Sequence, residues 1–173
     1  MANEFSFRAA KRADLPAVAR IIAENYQKEY TGILDSRYLA GMDEEYLQRI
    51  FEAYWLTPGN EIIVAAEKEE GGEEQIVGFA AGTPSPDIFG SFWLEYLHVD
   101  GEHRRQGIGS ALLDEAKDMA KWMGYGQLTS HIFAGNRIRE AFLEKLGGEP
   151  GEEFRMELEG FGVMTRIYLF ELA

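Results

Sequence analysis

Apolar residues recur at helical spacing in four stretches of the chain. Leu15, Val18, Ala19, Ile22 and Tyr26 form the first stripe. Asp14 stands where its carboxylate can accept from first-turn N–H groups, and Pro16 suits that turn. Asp43 opens a second helix with Leu47, Ile50, Phe51 and Tyr54 on one face. The stretch from Gly107 to Met123 is the clearest helix, striped by Leu112, Ala116, Met119, Ala120 and Met123 and stopped by Gly124 and Gly126. Asn136 to Leu146 is the last, ended by Gly147 and Gly148. Seven shorter runs predict strands: Phe5 to Ala9, Glu61 to Glu67, Gln75 to Gly82, Ser91 to Val99, Gln127 to Phe133, Phe154 to Glu159 and Met164 to Leu172. Tyr30 to Gly41 reads as a glycine-punctuated connection, and Pro84 and Pro86 make a loop of Thr83 to Asp87. The order is strand, two helices, three strands, helix, strand, helix, two strands. It predicts a mixed α/β sheet in a single domain over residues 1–173.

Charge and composition narrow the chemistry. Lys and Arg total 17 against 30 Asp and Glu, a net charge of −13. Such a surface repels phosphate backbones, so no nucleic-acid partner is expected. The absence of cysteine removes thiol nucleophiles, disulfides and thiolate metal sites. Only His98, His103 and His131 could supply imidazole, so no metal site is expected. No apolar run approaches the ~20 residues of a membrane span, and Met1 to Phe7 lack a leader pattern. A cytoplasmic protein without a membrane partner is the expectation. The acidic run Glu67 to Glu74, with Gly71 and Gly72 inside it, reads as a solvated hairpin loop.

The chemistry concentrates between Trp93 and Leu113. A strand ends near Val99, and Arg104, Arg105, Gln106, Gly107, Ile108 and Gly109 then open the strongest helix. Glycines allow close backbone approach, and a helix N-terminus offers free N–H groups and partial positive charge. Such a turn can cradle a phosphate or pyrophosphate. A P-loop would need Lys and then Ser or Thr after the second glycine, where Ser110 and Ala111 stand. A dinucleotide fingerprint would want Gly or Ala where Leu112 stands.

Arg104-x-x-Gly107-x-Gly109, after a strand ending Leu97-His98-Val99, resembles the acetyl-CoA-binding motif of the GNAT N-acetyltransferases. Leu128 to Gly147 resembles the fifth strand and following helix of that family, and Tyr30 to Leu39 resembles a helix-connecting loop of one bacterial subgroup. The resemblance spans nearly the whole chain. It implies a GNAT-like mixed central sheet of about seven strands and about four helices, splayed between the fourth and fifth strands, with acetyl-CoA as cosubstrate. The backbone of Leu97, His98 and Val99 would pair with the pantetheine arm. Arg104, Arg105, Gln106, Gly107, Ile108, Gly109 and Ser110 would hold the pyrophosphate, and Asn136 would stand near the pantetheine or thioester.

Acetyl transfer needs a deprotonated amine, a polarised carbonyl and protonation of the leaving thiolate. Glu95 is the candidate base. Strict alternation puts it on the face of Leu97 and puts His98 on the other. His131 reads as a hydrogen-bonded core histidine and His103 as a loop residue. Many family members carry Tyr in a run resembling Ala141 to Gly147, at the position of Leu143 here. Leucine cannot donate a proton, so another group such as Tyr168 serves, or solvent does, or the activity is weak. Glu24 and Glu29 could attract an ammonium group. The leading reading is an N-acetyltransferase acting on a small-molecule or protein amine, with pairing of two copies compatible with it. A non-catalytic acyl-CoA-binding or sensing module is the alternative, and another nucleotide-binding enzyme is a third.

Overall fold

The computed structural model describes residues 4–173. Seven strands and five α-helices follow in order: β1 (Phe5–Ala9), α1 (Leu15–Glu29), α2 (Ser36–Gly41), α3 (Glu44–Leu56), β2 (Glu61–Lys68), β3 (Glu74–Pro84), β4 (Ser91–Val99), α4 (Ile108–Trp122), β5 (Gln127–Phe133), α5 (Arg137–Lys145), β6 (Glu149–Leu158) and β7 (Phe161–Glu171). The strands form one sheet in the order β1-β2-β3-β4-β5-β7-β6. Every neighbouring pair is antiparallel except β4 and β5, which α4 connects.

Each face of the sheet buries its own apolar set. On one, Val77, Ala80, Phe92, Leu94 and Leu97 meet Leu112, Leu113 and Ala116 of α4 and Leu143 of α5. On the other, Val64, Ile76, Phe79 and Ala81 meet Leu15, Val18 and Ile22 of α1 and Leu47 and Phe51 of α3. The helical stripes of the sequence are the surfaces that make these contacts.

Two local departures from regular pairing shape the molecule. β4 and β5 pair only over Ser91–Leu94 and Gln127–Ser130, although both strands continue. Beyond that point the strands diverge, and β5 stays paired with β7 alone. Opposite β3, Leu94 partners Gly82 and Tyr96 partners Ala81, which leaves Glu95 as the extra residue of a β-bulge. A Cβ on Gly82 would stand 2.2 Å from a Phe92 ring carbon and 2.8 Å from the Trp93 carbonyl oxygen, so only glycine fits there.

The bulge corrects the alternation predicted for β4. Leu94 and Leu97 both belong to the α4-side core, three residues apart, which regular pleating forbids. Tyr96 and His98 lie on the α1/α3 side against Phe79. Glu95, placed with Leu97 by strict alternation, instead keeps company with Tyr54 and Tyr96.

Other expectations are adjusted. The connection from Tyr30 to Gly41 contains α2, capped by Asp35, whose carboxylate accepts from the Arg37 N–H at 2.8 Å. That short helix makes five where about four were expected. Asp14 does not cap α1: it accepts from Lys11 N–H at 2.7 Å and pairs with Arg8 at 2.7 Å. That pairing holds its carboxyl below the usual range against the opposing effect of burial.

Candidate functional site

The divergence of β4 from β5 opens a cavity of about 670 Å3. Its walls are Leu97 and Val99 of β4, Arg104, Arg105 and Gly107 of the following loop, and Ile108, Gly109 and Ser110 of α4. Asn136, Arg139 and Phe142 close it from the α5 side, with Lys28 and Glu29 from α1.

The loop is bent into place by its own residues. Asp100 N–H donates to the Val77 carbonyl at 2.8 Å, and the Asp100 carboxylate accepts from Glu102 N–H at 3.1 Å. Arg105 then takes a φ of 61° and Gly107 a φ of 80°. Gly107 occupies the N-cap of α4 and brings no side chain to it. First-turn N–H groups have no partner inside a helix, so those at Ile108, Gly109 and Ser110 remain for an anion in the cavity they line. A Cβ on Gly109 would make ordinary contacts of 3.5 Å to Phe142 and 3.7 Å to Val99. Glycine at 109 is thus not demanded by the protein's own packing.

Two arginines and two α1 residues form a network across the cavity mouth. Arg139 donates to the Leu97 carbonyl oxygen at 2.6 Å. Arg104 donates to Asn25 Oδ1 at 3.2 Å and ion-pairs with Glu29, whose other oxygen lies 3.9 Å from Arg139. Asn25 in turn donates to the Val99 carbonyl oxygen at 3.0 Å and contacts His98 Nδ1 at 3.3 Å. Glu29 is therefore engaged with the arginines in the wall of this cavity. Glu24 lines a separate polar hollow of about 580 Å3 with Arg20, Lys28 and Arg104.

The remaining residues singled out in the sequence fall as follows. The His98 side chain is buried beneath α1, stacked on Phe79 at 5.7 Å, and burial keeps its imidazole neutral by lowering its pKa. Only its backbone belongs to the diverging part of β4. Gln106 is an exposed residue of the loop and is not part of the cavity wall. Asn136 caps α5 by accepting from Arg139 N–H at 3.3 Å, and it also lines the cavity. His103 sits in a 3-10 turn with Nε2 2.9 Å from Glu67, an anchor between the loop and β2. Tyr168 is buried in the α4-side core and donates to Glu144 at 3.0 Å, and Leu143 is buried in the same core.

On the α1/α3 face the half-buried Glu95 carboxyl is raised above the ordinary range. Burial outweighs the opposing influence of the Tyr54 and Tyr96 hydroxyls. The Tyr54 hydroxyl is buried without a hydrogen-bond partner among the described residues. Trp93 and His131 stack at 4.5 Å, and Trp93 Nε1 and His131 Nδ1 also lack partners. Burial lowers the His131 pKa, so the hydrogen-bonded core histidine of the sequence reading is replaced by a stacked, neutral ring.

Sequence reasoning missed Lys28, Arg139 and Phe142, which line the cavity. Arg139 carried a usable signal: it stands three residues after the helix-capping Asn136, on the first turn of α5. No group of three or more His, Asp or Glu that could hold a metal occurs among the described residues, and no helix among them is long and apolar enough to cross a membrane.

The model of the Acetyltransferase (GNAT) family matches residues 20–148. No curated protein matches the sequence. Among solved structures, the ribosomal-protein-alanine N-acetyltransferase from Brucella melitensis is similar at 25% identity and a TM-score of 0.74, over 96% of this chain and 99% of that one. A phosphinothricin acetyltransferase of the GNAT superfamily from Sinorhizobium meliloti, in complex with AcCoA, is similar at 21% identity and a TM-score of 0.74, over 100% and 90%. The PaiA N-acetyltransferase from Thermoplasma acidophilum, in complex with coenzyme A, matches at 18% identity and a TM-score of 0.67, over 94% and 98%. With the family match covering well over half of its length, the chain belongs to the GNAT acetyltransferase family.

Proposed function

We propose that the protein is an acetyl-CoA-dependent N-acetyltransferase, working as one domain over residues 1–173. Its acceptor would be a primary amine that attacks directly within a ternary complex. The observation that carries this reading is one cavity holding both the unpaired edge of β4 and the N-terminus of α4. Leu97 and Val99 offer backbone groups for the amides of a pantetheine arm, as an added strand would use them. The N–H groups of Ile108, Gly109 and Ser110, with Arg104 and Arg105, suit a pyrophosphate. AcCoA and coenzyme A in two of the similar structures support the same ligand here.

In this reading the amine nitrogen attacks the thioester carbonyl carbon and the carbon–sulfur bond breaks. The amine's proton passes to Glu95, directly or through water. The raised pKa of that carboxyl makes it a stronger base than an exposed glutamate. The thiolate takes its proton from solvent, because Leu143 and Tyr168 are held in the core. No cysteine exists to form an acyl-enzyme. The buried Leu143 favours a second reading, a binding module that holds acyl-CoA without turnover. Release of CoA thiol from acetyl-CoA over an amine panel separates the two. Amine-dependent turnover supports the enzyme, and tight binding without turnover supports the module.

A further inference from the structure

His131 stands where β4 and β5 part. Leu94 and Ser130 are the last residues of those strands to pair, so Glu95 and His131 come next on each side. Leu128 and Ile132 belong to the α4-side core, and Phe133 packs against the other core. Pleating therefore puts the His131 ring on the α1/α3 face, where Glu95 also lies. Phe92 and Leu94 put Trp93 there too, and its indole stacks on the imidazole. Phe154, on the hairpin formed by β6 and β7, meets the same ring edge-on at 6.0 Å.

The fold holds this ring without using its nitrogens. It is half-buried, its Nδ1 is buried without a partner, and no hydrogen bond among the described residues engages Nε2. Burial favours the neutral ring, and the charge of Asp87, on the loop between β3 and β4, works against it. In the N-acetyltransferase reading, on which this inference rests, the pyrophosphate sits at the N-terminus of α4. The pantetheine arm then runs back along Val99 and Leu97. Its sulfur falls beyond Leu97, toward Glu95 and His131. Neither residue is in the wall of the donor cavity; both follow its Leu97 end, where β4 and β5 rejoin.

We propose that His131 is the group that carries a solvent proton to the departing thiolate. Solvent protonates the neutral ring. The carbon–sulfur bond breaks with its electron pair on sulfur, and the imidazolium gives that sulfur one proton and returns to neutral. The amine's proton leaves through Glu95, so protons balance over the cycle. Alkyl thiols ionise near the value of cysteine, about 8.5, so transfer from an imidazolium of lowered pKa runs downhill. His131 thus supplies what the buried Leu143 lacks.

The test pairs two variants with a contact measurement on the wild type. With the full chain and acetyl-CoA, His131→Gln should lose about 10²-fold or more in kcat on the amine that turns over fastest, with acetyl-CoA affinity in calorimetry unchanged. His131→Ala should recover part of its rate when imidazole is added, and the wild type should not respond. By NMR of ring-labelled wild type, which has three histidines, the His131 signals should shift with CoA. They should stay in place with desulfo-CoA, which has hydrogen where CoA has its thiol. An unchanged kcat, a loss of acetyl-CoA affinity that accounts for the lost rate, or equal shifts with CoA and desulfo-CoA would overturn the proposal. Acetyl-CoA binding without turnover of any amine would overturn it while leaving donor binding intact. Absence of acetyl-CoA binding to the wild type would instead sink the reading on which it rests.

Discussion

Arg139 reaches from α5 across the open side of the sheet and donates to the carbonyl oxygen of Leu97 at 2.6 Å. That carbonyl lies on the stretch of β4 that β5 has left. A pantetheine amide pairing with this edge would compete with Arg139 for the same acceptor. Glu29, 3.9 Å from Arg139 and ion-paired to Arg104, offers the guanidinium a place to go.

Removing the competitor should therefore help a neutral pantetheine. For Arg139→Ala, acetyl-pantetheine, which lacks the phosphates, should bind about tenfold more tightly. That is the low end of the worth of a charged hydrogen bond, about 1.5–3 kcal/mol. Calorimetric titration of both proteins reads the change. Weaker binding would show that Arg139 contacts the ligand instead of yielding its place.

Gly107 tests the turn. Its φ of 80° disfavours any side chain, but a Cβ there would meet no atom within 4 Å. Gly107→Ala should cost about 1–2 kcal/mol from backbone strain alone. For a chain of this size that lowers Tm by about 2–8 °C. Gly107→Asn should recover part of the loss in a thermal melt.

Gly82 tests the bulge. A methyl group 2.2 Å from a Phe92 ring carbon and 2.8 Å from the Trp93 carbonyl oxygen leaves no room for alanine. Gly82→Ala should destabilise by about 1–3 kcal/mol through overpacking. It should also lower kcat, since the bulge sets where Glu95 points. A melt and a rate measurement on the same preparation check both effects.

Glu95 links stability to activity with opposite signs. Burial raises its pKa in the fold, so folding favours its protonated form. The stability this group contributes is full below its unfolded pKa of about 4.3 and is lost as pH rises through the higher folded value. Glu95→Gln should then raise Tm at neutral pH and leave it little changed near pH 4. The same variant should lower kcat by about 10²–10⁴-fold with acetyl-CoA affinity retained. It should also remove the rise of kcat/KM with pH that ionisation of Glu95 produces. Melts across pH and a pH–rate profile measure these outcomes.

The sequence made the helices and the anion turn legible because both rest on local signals. Leu112, Ala116 and Ala120 face the sheet as their spacing requires, and Gly107 adopts the left-handed backbone at the helix entrance. The face of Glu95 was not legible, because a bulge is fixed by Gly82 on the neighbouring strand and by the close approach of Phe92. Glu29 read equally well as an amine attractor until α1 was placed beside Arg104 and Arg139. Tyr54 and Glu159 come together with Glu95 and Tyr46 only through the packing of α3 and the hairpin, across long separations in the chain.

The most direct test of the central claim is calorimetric titration of the protein and of Gly107→Glu with acetyl-CoA, with ATP and NAD as controls. Micromolar binding of acetyl-CoA to the wild type, lost in a folded Gly107→Glu protein and absent with ATP and NAD, is the predicted result. A folded wild-type protein that shows no heat of binding with acetyl-CoA, or that prefers ATP or NAD, would contradict it.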